Sequence, residues 1–443
     1  MAASWDIPIQ EDGHVLVTMP DLFKSFLAAE PIIRPDYEKC QEDTAQWLIE
    51  RLAFDGKAAK KLILADFTYF VQTWVPGTPY ERFRLANDWT NLFFYYDDLF
   101  DDGELKNDPV RAQATVDRLF AAIDGDFVPA DPHDPSLDYV DRNQAAHDEF
   151  WQRLRALASP GQRRRYRRSM FNYFSGALRQ VLDCENHFEY DRSLDDILER
   201  RRDSVGMEGV LSLLYFAFNL EIDDAVMEDP KMKEIEGLCT DLFVLQNDVA
   251  SHRKEEAENV THNMVATCRL NGMSAQEAYD HTGAMIDARL DRLDQCIAEL
   301  PYVDDQVATY IQGMRNVLIA NVHWSFRGQR YFGSRNAEVR RTRVIDVLAE
   351  PEYLKQMREV TGNKDKNQNK RDSVLDVSPK LKPQGLDAGE VGEPAQTGVS
   401  EEELQLELEE AQILEELERA KLRVVRVKRK LLVEFRRGRS QVC

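Results

Sequence analysis

The sequence predicts an all-α fold, and three of its features support this class. Between about residues 21 and 332, apolar side chains recur at spacings of three and four, as in TAQWLIER (44–51) and VATYIQGMRNVLIANVHW (307–324). Proline and glycine separate these helical stretches, as in VPGTP at 75–79. Alternating apolar and polar residues, the pattern of half-buried strands, are scarce. We therefore expect a domain built almost entirely of helices.

Composition divides the chain into four segments. Residues 1–20 predict an irregular lead-in and residues 21–360 predict the helical domain. Residues 361–400 are rich in Lys, Asn, Asp, Gly, Pro and Gln, which predicts a disordered linker. Residues 401–443 predict a charged helical tail, acidic and then basic, with a short coiled-coil-like seam. A solvated helix is the simpler interpretation of this tail, but its self-association and a homodimer stay open.

Bulk composition restricts the class of function and the compartment. A formal net charge of -22 argues against nucleic-acid binding, which needs a basic face, although metal ions would still allow a diphosphate to bind. The N-terminus lacks the basic start and apolar run of a signal peptide, and no apolar stretch reaches the length of a transmembrane segment. Six widely spaced cysteines predict free thiols in a reducing compartment. We expect a soluble, cytoplasmic protein.

An acidic cluster follows an apolar run in NLFFYYDDLFDDGELK. On a helix Asp97 and Asp101 share one face, and Asp98 and Asp102 share another. Like charges at this spacing destabilise a helix unless a divalent cation bridges them, and Mg²⁺ suits carboxylate ligands. The alternative is a solvated helix end with Gly103 as its cap, but acids at a helix C-terminus oppose the helix dipole.

A second polar cluster lies in LQNDVASHRKEE. Asn247, Ser251 and Glu255 are spaced four and four, so on a helix they form one stripe about 12 Å long. Side chains lean toward the helix N-terminus, which lets Glu255 reach back toward the other two. Amide, hydroxyl and carboxylate oxygens on one stripe predict a magnesium site. Lys254 adds a cation able to meet a phosphate oxygen.

The run from Asn247 matches the NDxxSxxKE signature of class I terpene cyclases at all five defined positions, a chance event of about one in ten thousand. The acidic cluster resembles the DDxxD motif of prenyl-chain enzymes. The resemblance spans about residues 20 to 335 and is greatest to fungal sesquiterpene cyclases. It implies a helical bundle around a central active-site cavity, to which the linker and the charged helix are C-terminal additions.

The resemblance also assigns roles outside the two clusters. Arg201 matches the diphosphate-sensing arginine, and Ser204 and Val205 match the linker and effector positions on a helix break. Arg330 and Tyr331 resemble the terminal pair that binds the diphosphate, for which the planar fork of arginine is suited. The cavity would be lined by aromatic residues whose π faces stabilise carbocations, although ordinary core packing is the alternative for each; these are Phe93, Phe94 and Trp324.

The implied function is magnesium-dependent ionisation and cyclisation of a prenyl diphosphate, with farnesyl diphosphate as the expected substrate. The product would be a sesquiterpene hydrocarbon or alcohol, released with diphosphate. Asp97 would bind one or two Mg²⁺ ions with support from Asp98 or Asp101, and the stripe on the second cluster would bind a third; Mn²⁺ would substitute. Arg201, Lys254 and the Arg330–Tyr331 pair would hold the diphosphate.

Two other functions remain to be separated from this one. A chain-elongating prenyltransferase would carry a second DDxxD run where this chain has NDVASHRKE. A non-catalytic helical scaffold would not bind diphosphate together with metal, so these two ligands would not raise its melting temperature.

Overall fold

Helices form almost every element of the structure, a computed structural model that describes residues 13–101, 103–125, 134, 136–185 and 193–358. The described helices are α1 (Tyr37–Leu52), α2 (Gly56–Ala65), α3 (Phe67–Trp74), α4 (Tyr80–Asp101), α5 (Pro109–Asp124), α6 (Tyr139–Leu157), α7 (Pro160–Glu185), α8 (Leu194–Ser204), α9 (Met207–Ala217), α10 (Asp224–Met227), α11 (Pro230–Ala257), α12 (Met264–Leu270), α13 (Ala275–Ala298), α14 (Asp305–Arg327) and α15 (Asn336–Thr342). The predicted all-α class is confirmed. The predictions for Asp102, the 361–400 linker and the 401–443 tail lie outside the described residues.

Polar side chains cap the starts of many of these helices. Asp55 and Asp138 accept backbone N–H groups at the starts of α2 and α6, where the first turn has no intrahelical acceptor. Ser274 and Glu277 form a reciprocal capping box at the start of α13. The VPGTP turn at 75–79 separates α3 from α4, as its composition predicts. Local sequence therefore determines where several helices begin.

The first described residues form a strand. β1 (His14–Thr18) pairs antiparallel with β2 (Val344–Leu348) along its whole length. Val15 and Val17 alternate into the core, as one face of a strand requires. The prediction of an irregular segment over 1–20 is therefore wrong for these five residues. The alternation of apolar and polar residues in β1 covers only five positions. The partner strand β2 lies near the other end of the domain, so no neighbouring sequence indicates the pairing.

The helices that carry the predicted site residues pack around one cavity. α11 contacts α14, α14 contacts α3, and α3 contacts α4. α8 ends at Ser204, and α9 begins at Met207 after Gly206, whose φ of 74° is left-handed. Glycine takes this conformation without the steric cost of a Cβ atom, so the chain breaks its helix there. The break, the end of α4 and one face of α11 border the same space.

The described helices include none that is both long enough and apolar enough to cross a membrane. Four cysteines are buried free thiols: Cys40, Cys239, Cys268 and Cys296. Burial raises the pKa of the Cys239 thiol, which keeps it protonated and unreactive. We therefore assign these cysteines to core packing.

Candidate active site

A cavity of about 1070 Å³, its open mouth included, brings distant parts of the sequence together. Its wall contains thirteen of the predicted site residues: Phe93, Phe94, Asp97, Asp98, Arg201, Ser204, Val205, Asn247, Lys254, Glu255, Trp324, Arg330 and Tyr331. These residues come from four helices, from the break after α8 and from the chain just beyond α14. The predicted metal, diphosphate and pocket residues other than Asp101 and Ser251 therefore share one surface.

The predicted metal-binding stripe on α11 faces this cavity. Asn247 and Glu255 line it, whereas Ser251 is 1% exposed and hydrogen bonds to Glu255 from behind the wall. Burial, with a further contribution from the nearby carboxylate of Asp248, raises the pKa of Glu255 to about 7. A cation beside Glu255 would offset the energetic cost of keeping this buried carboxylate ionised. Asn247 and Glu255 therefore present amide and carboxylate oxygens that suit a hard divalent cation, whereas the Ser251 hydroxyl does not line the cavity.

The acidic cluster contributes two carboxylates to the cavity from the end of α4. Asp97 accepts a hydrogen bond from the Tyr173 hydroxyl, and Asp98 Oδ1 lies 3.1 Å from Nη2 of Arg330. Asp101 ends α4, but its side chain is outside the described part of the chain. Asp97 and Asp98 are thus placed to face a ligand together with the stripe on α11.

Arg201 links the helix break to the predicted metal-binding stripe. Its Nε and Nη2 atoms lie 3.1 Å and 2.7 Å from Oδ1 of Asp248, and Nη2 donates to Oδ1 of Asn247 at 3.1 Å. Arg201 is 9% exposed and Asp248 is fully buried. Burial raises the pKa of Asp248, and the charge of Arg201 opposes that shift. The guanidinium therefore connects a buried carboxylate, a predicted metal ligand and the cavity.

Arg330 and Tyr331 connect the acidic cluster to the stripe. Asn247 donates from Nδ2 to the Tyr331 hydroxyl at 3.0 Å, while Arg330 pairs with Asp98. Burial is the largest single influence and lowers the pKa of Arg330, but the attraction and hydrogen bond of Asp98, with the charges of Tyr331 and Asp97, together raise the pKa overall. Arg330 therefore keeps its positive charge within the cavity wall.

Each of the three predicted diphosphate-binding cations pairs with a carboxylate. Arg201 and Arg330 have the partners given above, and Lys254 Nζ lies 2.8 Å from Oε2 of Glu258, one turn along α11. Burial is the largest single influence and lowers the pKa of Lys254, but the hydrogen bond that Lys254 donates to Glu258, with the charges of Glu258 and Asp98, raises the pKa overall. These cations are held close to the cavity in their charged forms.

Stacked aromatic rings form much of the remaining wall. Phe94 stacks on Phe67 at 4.0 Å between ring centroids and lies 5.4 Å from the ring of Trp324. Phe93 stacks on Trp89 at 4.2 Å. The indole N–H of Trp324 donates to a backbone carbonyl at 2.7 Å, so its polar edge is satisfied away from the cavity. The predicted pocket residues thus belong to two aromatic stacks.

The helix break lies against the second of these stacks. Ser204 is the last residue of α8, and Val205 and Gly206 make the turn into α9. A Cβ atom on Gly206 would stand 3.4 Å from Cε1 of Phe93, which is van der Waals contact. A backbone movement at the break would therefore change the packing of Phe93 in the cavity wall.

The sequence did not identify several residues that build the site. Trp89 precedes Phe93 by one turn of α4, so its helical spacing is a signal that could have found it. Phe70 and Phe243 also line the cavity, but each has the sequence context of an ordinary core residue. Tyr173 reaches Asp97 from α7, and no sequence spacing indicates that contact.

Comparison with known proteins agrees with this arrangement. The family model described as terpene synthase family 2, C-terminal metal binding, matches residues 88–292. A silphinene synthase from Penicillium patulum is 32% identical over 356 residues, which cover 77% of this chain and 93% of that protein. A sesquiterpene synthase from Cyclocybe aegerita is 28% identical over 278 residues, 62% of this chain and 76% of that protein.

Solved structures give the same fold. An α-eudesmol synthase superposes with a TM-score of 0.56 at 20% sequence identity, covering 67% of this chain and 96% of that one. The identity to the Penicillium protein extends over nearly all of that relative, and the family model spans the acidic cluster, Arg201 and the stripe on α11. The chain therefore belongs to the terpene synthase family and is a class I enzyme of it.

Proposed function

We propose that this protein ionises farnesyl diphosphate with the help of bound Mg²⁺ and cyclises it to a sesquiterpene hydrocarbon or alcohol. The observation that carries the proposal is the meeting of oxygen ligands, cationic side chains and aromatic rings at one cavity. The relative from Cyclocybe aegerita is named a sesquiterpene synthase, which supports farnesyl diphosphate as the substrate.

The metal would be held from two sides of the cavity. Asp97, with support from Asp98, would bind one or two Mg²⁺ ions, and Asn247, Ser251 and Glu255 would bind a third. Bound Mg²⁺ supplies Lewis-acid stabilisation of the charge that develops on the leaving diphosphate. The carboxylates of Glu255 and Asp248 are both buried, and their mutual repulsion contributes to the raised pKa of Glu255. A cation bound at the stripe would offset the cost of burying this negative charge, which supports a metal there.

The cationic side chains would hold the diphosphate at the mouth of the cavity. Arg201, Lys254 and Arg330 each have a carboxylate partner, so they are oriented before a ligand arrives. Tyr331 is held by the amide of Asn247, and its hydroxyl would donate a hydrogen bond to a diphosphate oxygen. Donors positioned in advance stabilise a developing negative charge without the cost of reorganisation.

The aromatic wall would guide the carbocation once the C–O bond has broken. Rings such as those of Phe93, Phe94 and Trp324 present π faces that stabilise positive charge, and their packing excludes water. Loss of a proton, for which the released diphosphate is a suitable base, or capture of a water molecule would end the reaction. Neither ending requires a nucleophilic side chain.

The proposal is tested by supplying farnesyl diphosphate with MgCl₂ and analysing the volatile products by gas chromatography and mass spectrometry. We expect cyclic fifteen-carbon products that disappear when EDTA removes the metal. Adding isopentenyl diphosphate distinguishes a prenyltransferase, because that enzyme would make a longer prenyl chain. A longer chain as the main product would contradict cyclisation.

A further inference from the structure

Three consecutive residues, at the end of the loop after α11 and the start of α12, contact the helix break, the carboxylate that holds the sensor arginine, and the metal-binding stripe. Nε2 of His262 lies 2.9 Å from Oγ of Ser204 at the end of α8. The backbone N–H of Met264 donates to Oδ2 of Asp248 at 2.6 Å, while the other oxygen of that carboxylate holds the sensor arginine. The residue between them, Asn263, is fully buried.

The side-chain carbonyl oxygen of Asn263 caps the start of α12. Its Oδ1 accepts the backbone N–H groups of Val265 and Ala266 at 2.8 Å and 3.3 Å, which makes Asn263 the N-cap of α12. A cap of this kind fixes the plane of the amide, because the oxygen must point along the start of the helix. The direction of the NH₂ group is thereby determined as well.

The NH₂ end points at the metal-binding stripe. Nδ2 of Asn263 donates to Oε2 of Glu255 at 2.8 Å and to the backbone carbonyl of Asp248 at 3.0 Å. It also lies 3.5 Å from Oγ of Ser251, at the outer limit of a hydrogen bond. One buried amide therefore contacts the side chains of two predicted ligands and the α11 backbone at Asp248, which precedes both of them.

We propose that Asn263 is a positioning residue that orients Glu255 and Ser251 for the metal, an inference that rests on the proposed function. It uses the N-terminus of α12 as a rigid support, and through the neighbouring Met264 the same loop fixes Asp248. Groups that hydrogen bond to metal ligands commonly change metal affinity by about 10- to 100-fold when they are removed. Asn263 should therefore set how tightly the stripe binds Mg²⁺.

The test removes the NH₂ group of Asn263 from the full-length protein while keeping an oxygen that can cap α12. Asn263→Ser and Asn263→Thr keep a capping oxygen for α12 but lack the NH₂ group that reaches Glu255. Thermal unfolding is followed while MgCl₂ is titrated in the presence of inorganic diphosphate, because a ligand that binds the folded state raises Tm. We expect the Mg²⁺ concentration at the half-maximal rise to increase about 10- to 100-fold in both variants.

Ser274→Ala is the matched control, because it removes the capping box of the next helix, where the partner is Glu277. It should lower Tm without Mg²⁺ and leave the Mg²⁺ dependence as in the wild type. Asn263 variants whose titrations overlay the wild type would overturn the positioning role and leave the proposed function intact. A wild-type protein that does not respond to Mg²⁺ and diphosphate would contradict the proposed function and this inference together.

Discussion

Arg201 and Asp248 form a buried ion pair in which Nη2 of the arginine lies 2.7 Å from Oδ1 of the aspartate. The pair joins α8, which ends at the helix break, to α11, which carries the predicted metal-binding stripe. Arg201, the predicted diphosphate sensor, is thus oriented by the same helix that is proposed to bind the metal.

Asp248→Asn should destabilise the fold by about 3 kcal/mol, because removing one partner leaves the other charge buried and unpaired. Urea unfolding monitored by circular dichroism measures the change. Asp203→Asn on the same helix as Arg201 is the control, since the Asp203–Arg179 pair is exposed and should contribute about 0–1 kcal/mol. Equal losses of unfolding free energy in the two variants would show that the buried Arg201–Asp248 pair contributes no more stability than the exposed pair.

Tyr173→Phe should raise the Mg²⁺ concentration needed for half-maximal turnover by about 10-fold, because the Tyr173 hydroxyl fixes the carboxylate of Asp97. The initial rate of farnesyl diphosphate consumption is measured as MgCl₂ is varied. Tyr302→Phe is the control, since Tyr302 is an exposed tyrosine whose hydroxyl meets Asp304 away from the cavity. An unchanged Mg²⁺ dependence in Tyr173→Phe would remove this tyrosine from the metal site.

Gly206→Ala should alter catalysis as well as stability. The left-handed backbone at Gly206 costs an alanine about 1–2 kcal/mol, and the added methyl group would lie in van der Waals contact with the ring of Phe93. Gly272→Ala is the matched control, because its φ of 93° is also left-handed and nothing lies within 4 Å of the added atom. We expect similar losses of Tm in both variants, but a changed product ratio only in Gly206→Ala. The same product ratio in all three proteins would contradict a role for the break in shaping the cavity.

Removal of residues 361–443 should leave a folded protein, because the acidic cluster, the stripe and the Arg330–Tyr331 pair all precede residue 335. The truncated chain is compared with the full chain by its melting temperature and its rate with farnesyl diphosphate. We expect the melting temperature to be unchanged and the two rates to agree within about twofold. A large loss of activity with an unchanged melting temperature would mean that the linker or the tail contributes to catalysis.

Sequence predicted the parts of the site that depend on one helix. The four-residue spacing of Asn247, Ser251 and Glu255 places their side chains along one stripe of α11, so no tertiary information is needed to group them. The resemblance to class I cyclases supplied Arg201 and the break, and the structure places both at the same cavity.

The remaining parts could not be predicted because they depend on contacts between elements. Asp248 follows Asn247 directly, so it points away from the stripe, and its role appears only when α8 brings Arg201 beside it. Tyr173 reaches its carboxylate from another helix, and β1 pairs with a strand at the far end of the domain. Such contacts leave no periodic signal in a single sequence.

The most direct test of the account compares the wild type with Asn247→Ala and Glu255→Ala in the presence of farnesyl diphosphate and MgCl₂. Volatile products are quantified by gas chromatography and mass spectrometry, and circular dichroism confirms that each variant is folded. We predict cyclic products from the wild type and a loss of at least about 100-fold in both variants, since each removes an oxygen ligand from the stripe. Wild-type product formation in both folded variants would contradict the metal assignment on which the proposed function depends.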